Sequence, residues 1–339
     1  MLVQWPLHVS FSIGLIMEYV RLGKSGLMVS RIALGLGFRG TSSIAAAQRL
    51  IEYAIDAGVN FIDCANFYRV QGGPLSEEVL SEILPKYRDQ LVITSKVYGK
   101  MGQGPNDVGS SRYHILAQVE KSLNRLKTDH IDVYLLHQYD EETPLEETVR
   151  ALDDLVKTGK VRYIGACNFQ AWQVCKSLWT SDSLGCDPWI TIQNPYSLLN
   201  RKLEEDMFGL IREEGLGAMA FSPLGAGLLS GIYSPGKSPP RGSLWASKTK
   251  SRYDRSFLGQ GPAIMTALGE IAAQRDKTSG QVALNWVMSK PEITVAISGN
   301  DTTEQLDENI GAIGWKLSDD EMTYLDRVSE NTAVSFTNL

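Results

Sequence analysis

The chain has 339 residues, 43% of them hydrophobic and 21% charged, an ordinary globular composition able to bury a large core. Thirty-three Lys and Arg against 39 Asp and Glu leave a net charge of −6 without any dense basic stretch, which argues against nucleic acid or an anionic membrane as partner. Four cysteines without C-x-x-C spacing read as reduced thiols of a cytoplasmic protein, and four histidines without an H-E-x-x-H pattern give no metal site.

Residues 1–16 are apolar but contain Pro6 and His8 and lack a basic leader. They are too short to span a bilayer and unlike a signal peptide, so they are expected to be an extension outside the fold, from an upstream start. Regular patterning begins at Met17. Residues 17–30 alternate around Gly23 and Gly26, which predicts a short hairpin. Apolar runs then predict strands near 31–36, 59–63, 91–95, 131–136, 161–165, 189–193, 217–221 and 292–297. Between them, helical periodicity covers 45–57, 75–86, 113–126, 146–158, 170–179, 203–214, 261–288 and 303–312; Ile115, Val119, Leu123 and Leu126 are spaced as on one helix face.

Eight strands each followed by a helix predict an α/β fold, a single (β/α)8 TIM barrel over residues 17–330, with 331–339 as a tail. No G-x-G-x-x-G follows the first strand, which weighs against an open dinucleotide-binding sheet. After Phe221, about 35–40 residues rich in Gly, Pro and Ser separate strand seven from the next clear helix; such an insert on the catalytic face predicts a lid.

Three predicted strands end on titratable groups. One stops at Asp63, with Tyr68 five residues on; another stops at Lys96; a third, Ile131-Asp132-Val133-Tyr134-Leu135-Leu136, is followed by His137. Strand C-termini are where a barrel assembles its active site. The four also make chemical sense together. Reduction of a carbonyl needs a proton donor for the developing alkoxide, and a tyrosine serves if its pKa, near 10, is drawn toward neutrality. A lysine ammonium favours the phenolate, an aspartate keeps that lysine charged and oriented, and a histidine can donate to the carbonyl. Tyr68 is therefore the expected acid/base, Lys96 its modulator, Asp63 the partner of Lys96, and His137 the orienting donor.

The chain resembles the aldo-keto reductase superfamily from about residue 18 to 328. The resemblance rests on seven stretches in order at barrel-strand spacing: Asp63-Cys64-Ala65-Asn66-Phe67-Tyr68; Ile93-Thr94-Ser95-Lys96; Ser122-Leu123-Asn124-Arg125-Leu126 leading into Asp129 to His137; Gly165-Ala166-Cys167-Asn168-Phe169; Gln193-Asn194-Pro195-Tyr196; Ser222-Pro223-Leu224; and Gln305-Leu306-Asp307-Glu308-Asn309. The last points to the branch that contains potassium-channel β subunits and bacterial sugar or aldehyde reductases.

The resemblance implies an NAD(P)-dependent oxidoreductase that moves hydride between a nicotinamide cofactor and a carbonyl or alcohol substrate. The alternative it implies is a cofactor-binding regulatory subunit of the channel type, with incidental turnover. It places Asn168 and Gln193 on the nicotinamide carboxamide with Cys167 where the family commonly has Ser, Tyr196 stacked under the ring, and Ser222, Leu224 and Gly227 along the pyrophosphate. Gln305, Glu308 and Asn309 would hold the adenine, and Arg241 the 2′-phosphate. Two further phosphate-pocket positions are Ile232 and Asp301 here, and an aspartate repels a phosphate but can accept from a free ribose hydroxyl. NADP(H) is the favoured cofactor, with NAD(H) open. The substrate mouth is expected to be lined by Phe38, Arg39, Tyr98, Gln138, Tyr139 and Phe169, where Arg39 would favour polar or anionic carbonyls.

Overall fold

The computed structural model describes residues 17–334 except Arg39, Ser42, Gln71 and Gly242, so the expectations for residues 1–16, for Arg39 and for the tail beyond residue 334 lie outside the described residues. Two short strands, β1 (Tyr19–Arg21) and β2 (Met28–Ser30), form an antiparallel hairpin. Its turn is pressed so closely on the barrel floor that a Cβ at Gly23, whose φ is +61°, would lie 2.5 Å from the Gly217 nitrogen. Only glycine tolerates both the contact and the left-handed backbone.

The chain then alternates: β3 (Ile32–Gly35), α1 (Ile44–Asp56), β4 (Phe61–Asp63), α2 (Ser76–Ser81), α3 (Leu84–Tyr87), β5 (Val92–Val97), α4 (Arg112–Leu126), β6 (Ile131–Leu136), α5 (Leu145–Lys157), β7 (Val161–Cys167), α6 (Ala171–Leu184), β8 (Thr191–Pro195), α7 (Met207–Glu214), β9 (Gly217–Phe221), α8 (Lys250–Arg255), α9 (Gly261–Arg275), α10 (Ser279–Ser289), β10 (Val295–Ser298), α11 (Thr303–Ile310) and α12 (Asp319–Val328). Strands β3 to β10 are parallel and close into an eight-stranded barrel, β10 pairing with both β3 and β9. This is the (β/α)8 barrel with an N-terminal hairpin that the strand–helix alternation predicts.

Two expected helices are each divided, for local reasons. Pro85 sits in the first turn of α3 and starts a new helix after α2. In 261–288, Asp276 ends α9 in the left-handed conformation and Thr278 restarts α10 with a capping box to Gln281. The long segment after β9 is not structureless. It carries α8 and short 3-10 turns, and its Trp245 and Tyr253 are buried in contact with one another, the indole N–H donating to Ala226 O at 3.0 Å.

The pleat decides what faces the barrel interior, because side chains alternate along a strand. Phe61, Val92, Val133, Leu135, Met219, Val295 and Ile297 pack inside with Leu22 and Val29 of the hairpin, which closes the lower end. Ile62, Ile93, Tyr134, Leu136, Ile192, Ala218 and Ala296 pack outward against the helices. Counting on by twos, the same inward parity brings Asp63, Thr94, Lys96, His137, Cys167, Gln193 and Phe221 to the upper, C-terminal end.

Candidate active site

Asp63 and Lys96 form the floor of the site. Lys96 is fully buried, and its Nζ donates to both Asp63 carboxylate oxygens and to Cys64 O, each at 2.8 Å. An ammonium has three protons, and all three are matched. Asp63 is held in turn by Thr94 Oγ1 at 2.6 Å and Gln193 Nε2 at 2.8 Å, both donating to Oδ1. Burial presses the Lys96 ammonium down, but the Asp63 carboxylate outweighs it and the net shift is upward, so Lys96 stays charged.

Tyr68 reaches this floor from the β4–α2 connection. Its hydroxyl is 3.3 Å from His137 Nε2, and Lys96 Nζ lies 4.8 Å from its ring centroid. His137 follows β6 directly, its backbone N–H donating to Val97 O at 2.8 Å. Phe67 stacks on the imidazole at 5.0 Å. Burial, with the Lys96 charge second, holds His137 down at about 3, so the ring is neutral. Its Nδ1 is buried and has no partner among the described residues. The Tyr68 phenol is pushed up to about 12: burial is the largest cause and Asp63 adds to it, while Lys96 pulls the other way. The expectation that Lys96 draws the phenol toward neutrality thus meets an opposing desolvation that is larger in the protein alone.

Cys167 and Gln193 are register partners on β7 and β8, both buried, with the thiol donating to Gln193 Oε1 at 3.5 Å. Burial pushes that thiol up to about 12, so it is protonated. Asn168, in the left-handed conformation at φ +59°, donates from Nδ2 to His137 O at 3.0 Å and to Cys167 Sγ at 3.2 Å. Phe38 at φ +46° and Ser222 at φ +53° share that conformation. With Ala226 at φ +55°, four non-glycine residues hold this conformation in the loops after β3, β7 and β9.

Tyr196 is not brought to the cleft. It is fully buried, stacked on Trp286 at 5.4 Å, with its hydroxyl donating to Glu204 Oε1 at 2.5 Å. Gln193 faces inward, so Tyr196, three residues on, has the opposite parity and joins the helix layer. The aromatic with inward parity is Phe221, the last residue of β9, half-buried against the interior cluster. Sequence reasoning missed it, and counting by twos from Met219 would have found it.

After Phe221 the chain runs through Ser222, Gly225, Ala226 and Gly227, all with positive φ, with Leu224 half-buried between them. The turn is closed on itself, the Gly225 N–H donating to Ser222 O at 2.9 Å and the Leu229 N–H to Leu224 O at 3.1 Å. The loops after strands seven and eight of a barrel, with a short following helix, are a recurrent phosphate site. Here the eighth strand is β10 and the helix is α11. Asn309 Nδ2 ties that loop by donating to Ser298 Oγ at 2.7 Å and Asn300 Oδ1 at 2.5 Å. Gln305 Oε1 accepts from the Asp301 N–H at 2.8 Å, and the Glu308 carbonyl accepts from Gln281 Nε2 at 3.0 Å.

Asp301 is already engaged. Its Oδ1 accepts from the Gly40 N–H at 2.8 Å and Thr41 Oγ1 at 3.2 Å, and a Cβ at Gly40 would lie 2.5 Å from its Oδ2. It latches the β3–α1 loop across the seam of the barrel using neutral donors. Arg241 is exposed on the segment after β9, as is Ile232. At the mouth, Phe38 and Phe169 are buried, Tyr98 and Tyr139 are half-buried and Gln138 is exposed. Beside them a recess of 440 Å³ is lined by Tyr139, Trp172, Lys176 and the acidic loop Asp140 to Glu142.

The closed parallel barrel thus brings a Tyr, a Lys, an Asp and a His together at its C-terminal end. The aldo/keto reductase family profile matches residues 31–330, and the chain belongs to that family. It is 33% identical over 321 residues to an uncharacterized oxidoreductase, YrpG, of Bacillus subtilis (strain 168), covering 92% of this chain and 96% of that one. It is 30% identical over 319 residues, 92% of each chain, to an L-glyceraldehyde 3-phosphate reductase of Escherichia coli (strain K12). It is also 32% identical over 303 residues, 88% of this chain and 91% of the other, to a probable voltage-gated potassium channel subunit beta of Arabidopsis thaliana. Family membership makes the chain an oxidoreductase of small carbonyl compounds, in a family that generally uses nicotinamide cofactors. Among the described residues no helix is long and apolar enough to cross a membrane.

Proposed function

We propose that the chain reduces a carbonyl to an alcohol, and catalyses the reverse reaction, with Tyr68 as the general acid/base. The observation that carries this reading is the buried Tyr68 hydroxyl 3.3 Å from His137 Nε2, above an Asp63–Lys96 pair bonded at 2.8 Å. The residues present fit a nicotinamide dinucleotide: the small residues Ser222, Gly225, Ala226 and Gly227, all with positive φ, let a ligand approach the backbone after β9, a short helix follows β10, and His137 Nδ1 is buried with no partner among the described residues. When bound, the nicotinamide supplies or takes up the hydride.

Tyr68 gives its proton to the developing alkoxide in reduction and takes it back in oxidation. Lys96 stabilises the phenolate left behind by charge, and Asp63 keeps Lys96 charged and in place. Neutral His137, at hydrogen-bond reach of Tyr68, orients the carbonyl oxygen. Asn168, with Gln193 and Cys167 beside it, would receive the carboxamide; Phe221, rather than Tyr196, would offer the ring a flat surface. Ser222, Leu224 and Gly227 would hold the pyrophosphate, and Gln305, Glu308 and Asn309 the adenine. NADP(H) is the proposed cofactor, with exposed Arg241 available to a 2′-phosphate; NAD(H) is the alternative, because Asp301 stands where relatives of the channel branch have a phosphate-binding residue and is met here by Gly40 and Thr41.

The experiment is turnover of an aldehyde, ketone and sugar panel by purified protein with each cofactor, supporting the reading if rates are cofactor-dependent. The similarity to a plant protein named as a channel subunit favours a second reading, a cofactor-binding regulatory subunit. A stoichiometric partner that co-purifies, together with negligible turnover of the panel, would favour it.

A further inference from the structure

Thr94 has no part in the chemistry described so far, yet its hydroxyl makes one of the shortest contacts in the site. It is fully buried on β5, a register partner of Asp63 on β4, and donates to Asp63 Oδ1 at 2.6 Å. Among the described residues, Oδ1 thus accepts three hydrogen bonds, from Thr94, Lys96 and Gln193, while Oδ2 accepts only from Lys96. The three Lys96 protons go to the two Asp63 oxygens and to Cys64 O. The ammonium therefore sits where the carboxylate puts it. The carboxylate in turn is held at Oδ1 by the Thr94 hydroxyl and the Gln193 amide, of which the hydroxyl makes the shorter contact.

From this geometry we propose that Thr94 is a positioning residue of the catalytic site: by donating to Asp63 it sets the orientation and strength of the Asp63–Lys96 pair, and through that pair the electrostatic field at the Tyr68 hydroxyl. The inference rests on the proposed role of Tyr68. A hydroxyl donor disperses the negative charge of Asp63. Without it, more of that charge bears on Lys96 and on the phenol, and Asp63 is among the groups that raise Tyr68. The charged and titratable groups facing Tyr68 are Asp63 from β4, Lys96 from β5, His137 after β6 and Cys167 from β7. Cys167 is a protonated thiol and His137 a neutral ring, so the Asp63–Lys96 pair dominates the local field.

The test compares Thr94→Val, which keeps the shape and removes the donor, with Thr94→Ser, which keeps the donor. In Thr94→Val the alkaline limb of kcat/KM for carbonyl reduction should move up by roughly 0.5 to 1 pH unit. Alcohol oxidation at neutral pH, which needs the phenolate, should fall about three- to tenfold. Thr94→Ser should restore both to within about twofold, and the cofactor Kd of all three proteins should agree within about twofold, showing an intact fold. A second readout needs no turnover. In protein labelled with ζ-13C tyrosine, the Tyr68 resonance, assigned by its loss in Tyr68→Phe, should move in Thr94→Val and return in Thr94→Ser. Rates that fall equally at every pH, or a Tyr68 resonance that stays in place in Thr94→Val, would overturn the proposal. A wild-type protein that turns over no carbonyl would instead refute the proposed function, and the resonance would still decide whether Thr94 acts on Tyr68 through Asp63.

Discussion

Glu77 and Arg125 fasten the catalytic turn to the barrel, and breaking them should cost far more than losing a surface ion pair. Glu77, on α2, has no exposed side-chain surface; its Oε2 accepts from Arg125 Nε at 2.6 Å and its Oε1 from Ser95 Oγ at 2.5 Å. Ser95 precedes Lys96, and α2 follows the Tyr68 connection, so the pair joins the two halves of the site from outside the barrel. Arg125→Leu leaves Glu77 buried with a single hydroxyl donor. Removing one partner of a buried pair costs about 3–5 kcal/mol, and the 16% exposure of Arg125 favours the lower end. Unfolding entropy of about 2.1 cal/mol/K per residue over roughly 300 ordered residues gives about 0.6 kcal/mol/K, hence a Tm lower by about 5 °C. Adding Glu77→Leu removes the stranded charge and should return Tm to within about 2 °C of wild type, the remainder being the Ser95 hydroxyl left without its acceptor. Thermal melts of the four proteins form a double-mutant cycle. Losses that simply add, leaving the double variant worse than either single one, would refute the reasoning.

Asp301→Arg should raise the NADP(H)-to-NAD(H) ratio of kcat/KM by roughly 1–3 kcal/mol of new charge-assisted contact; an unchanged ratio means that residue 301 does not see the adenosine end. Cys167→Ser should tighten cofactor binding modestly, because a hydroxyl is the stronger donor to Gln193 Oε1; isothermal titration showing a weaker Kd would count against that contact. His137 is held at about 3 in the fold but protonates near 6.5 when unfolded, so below about 6.5 the unfolded chain binds the extra proton and stability falls as pH drops. At 1.36 kcal/mol per pH unit, this group alone removes roughly 2 kcal/mol between pH 6.5 and 5. His137→Gln should show a shallower fall of the urea midpoint over that range, and equal slopes would argue that burial does not hold the ring neutral.

Much of the site could be read from residue order because barrels put chemistry at strand ends. Asp63, Lys96 and His137 were visible as polar terminations of apolar runs, and they converge. What escaped depends on parity or on distant partners. Tyr196 was placed under the ring on its neighbourhood in the chain, but three residues from an inward Gln193 it must face the helices, while Phe221 keeps the inward phase. The order within the segment after strand seven is not legible in its Gly, Pro and Ser content, because the contact between Trp245 and Tyr253 forms only on folding. Helix α12, with its Ser318–Glu321 capping box, carried a start signal that the apolar pattern alone left unread. Asp301 looked free for a ribose since nothing near it in sequence accounts for it; its donors, Gly40 and Thr41, are some 260 residues away.

The acid/base role of Tyr68 is tested most directly by Tyr68→Phe, measured for both single-turnover reduction and cofactor Kd. The account predicts a loss of turnover of at least about a hundredfold with cofactor affinity within about twofold, because the hydroxyl acts in the chemical step and not in binding. Turnover retained within tenfold, or lost only in proportion to cofactor affinity, would contradict it.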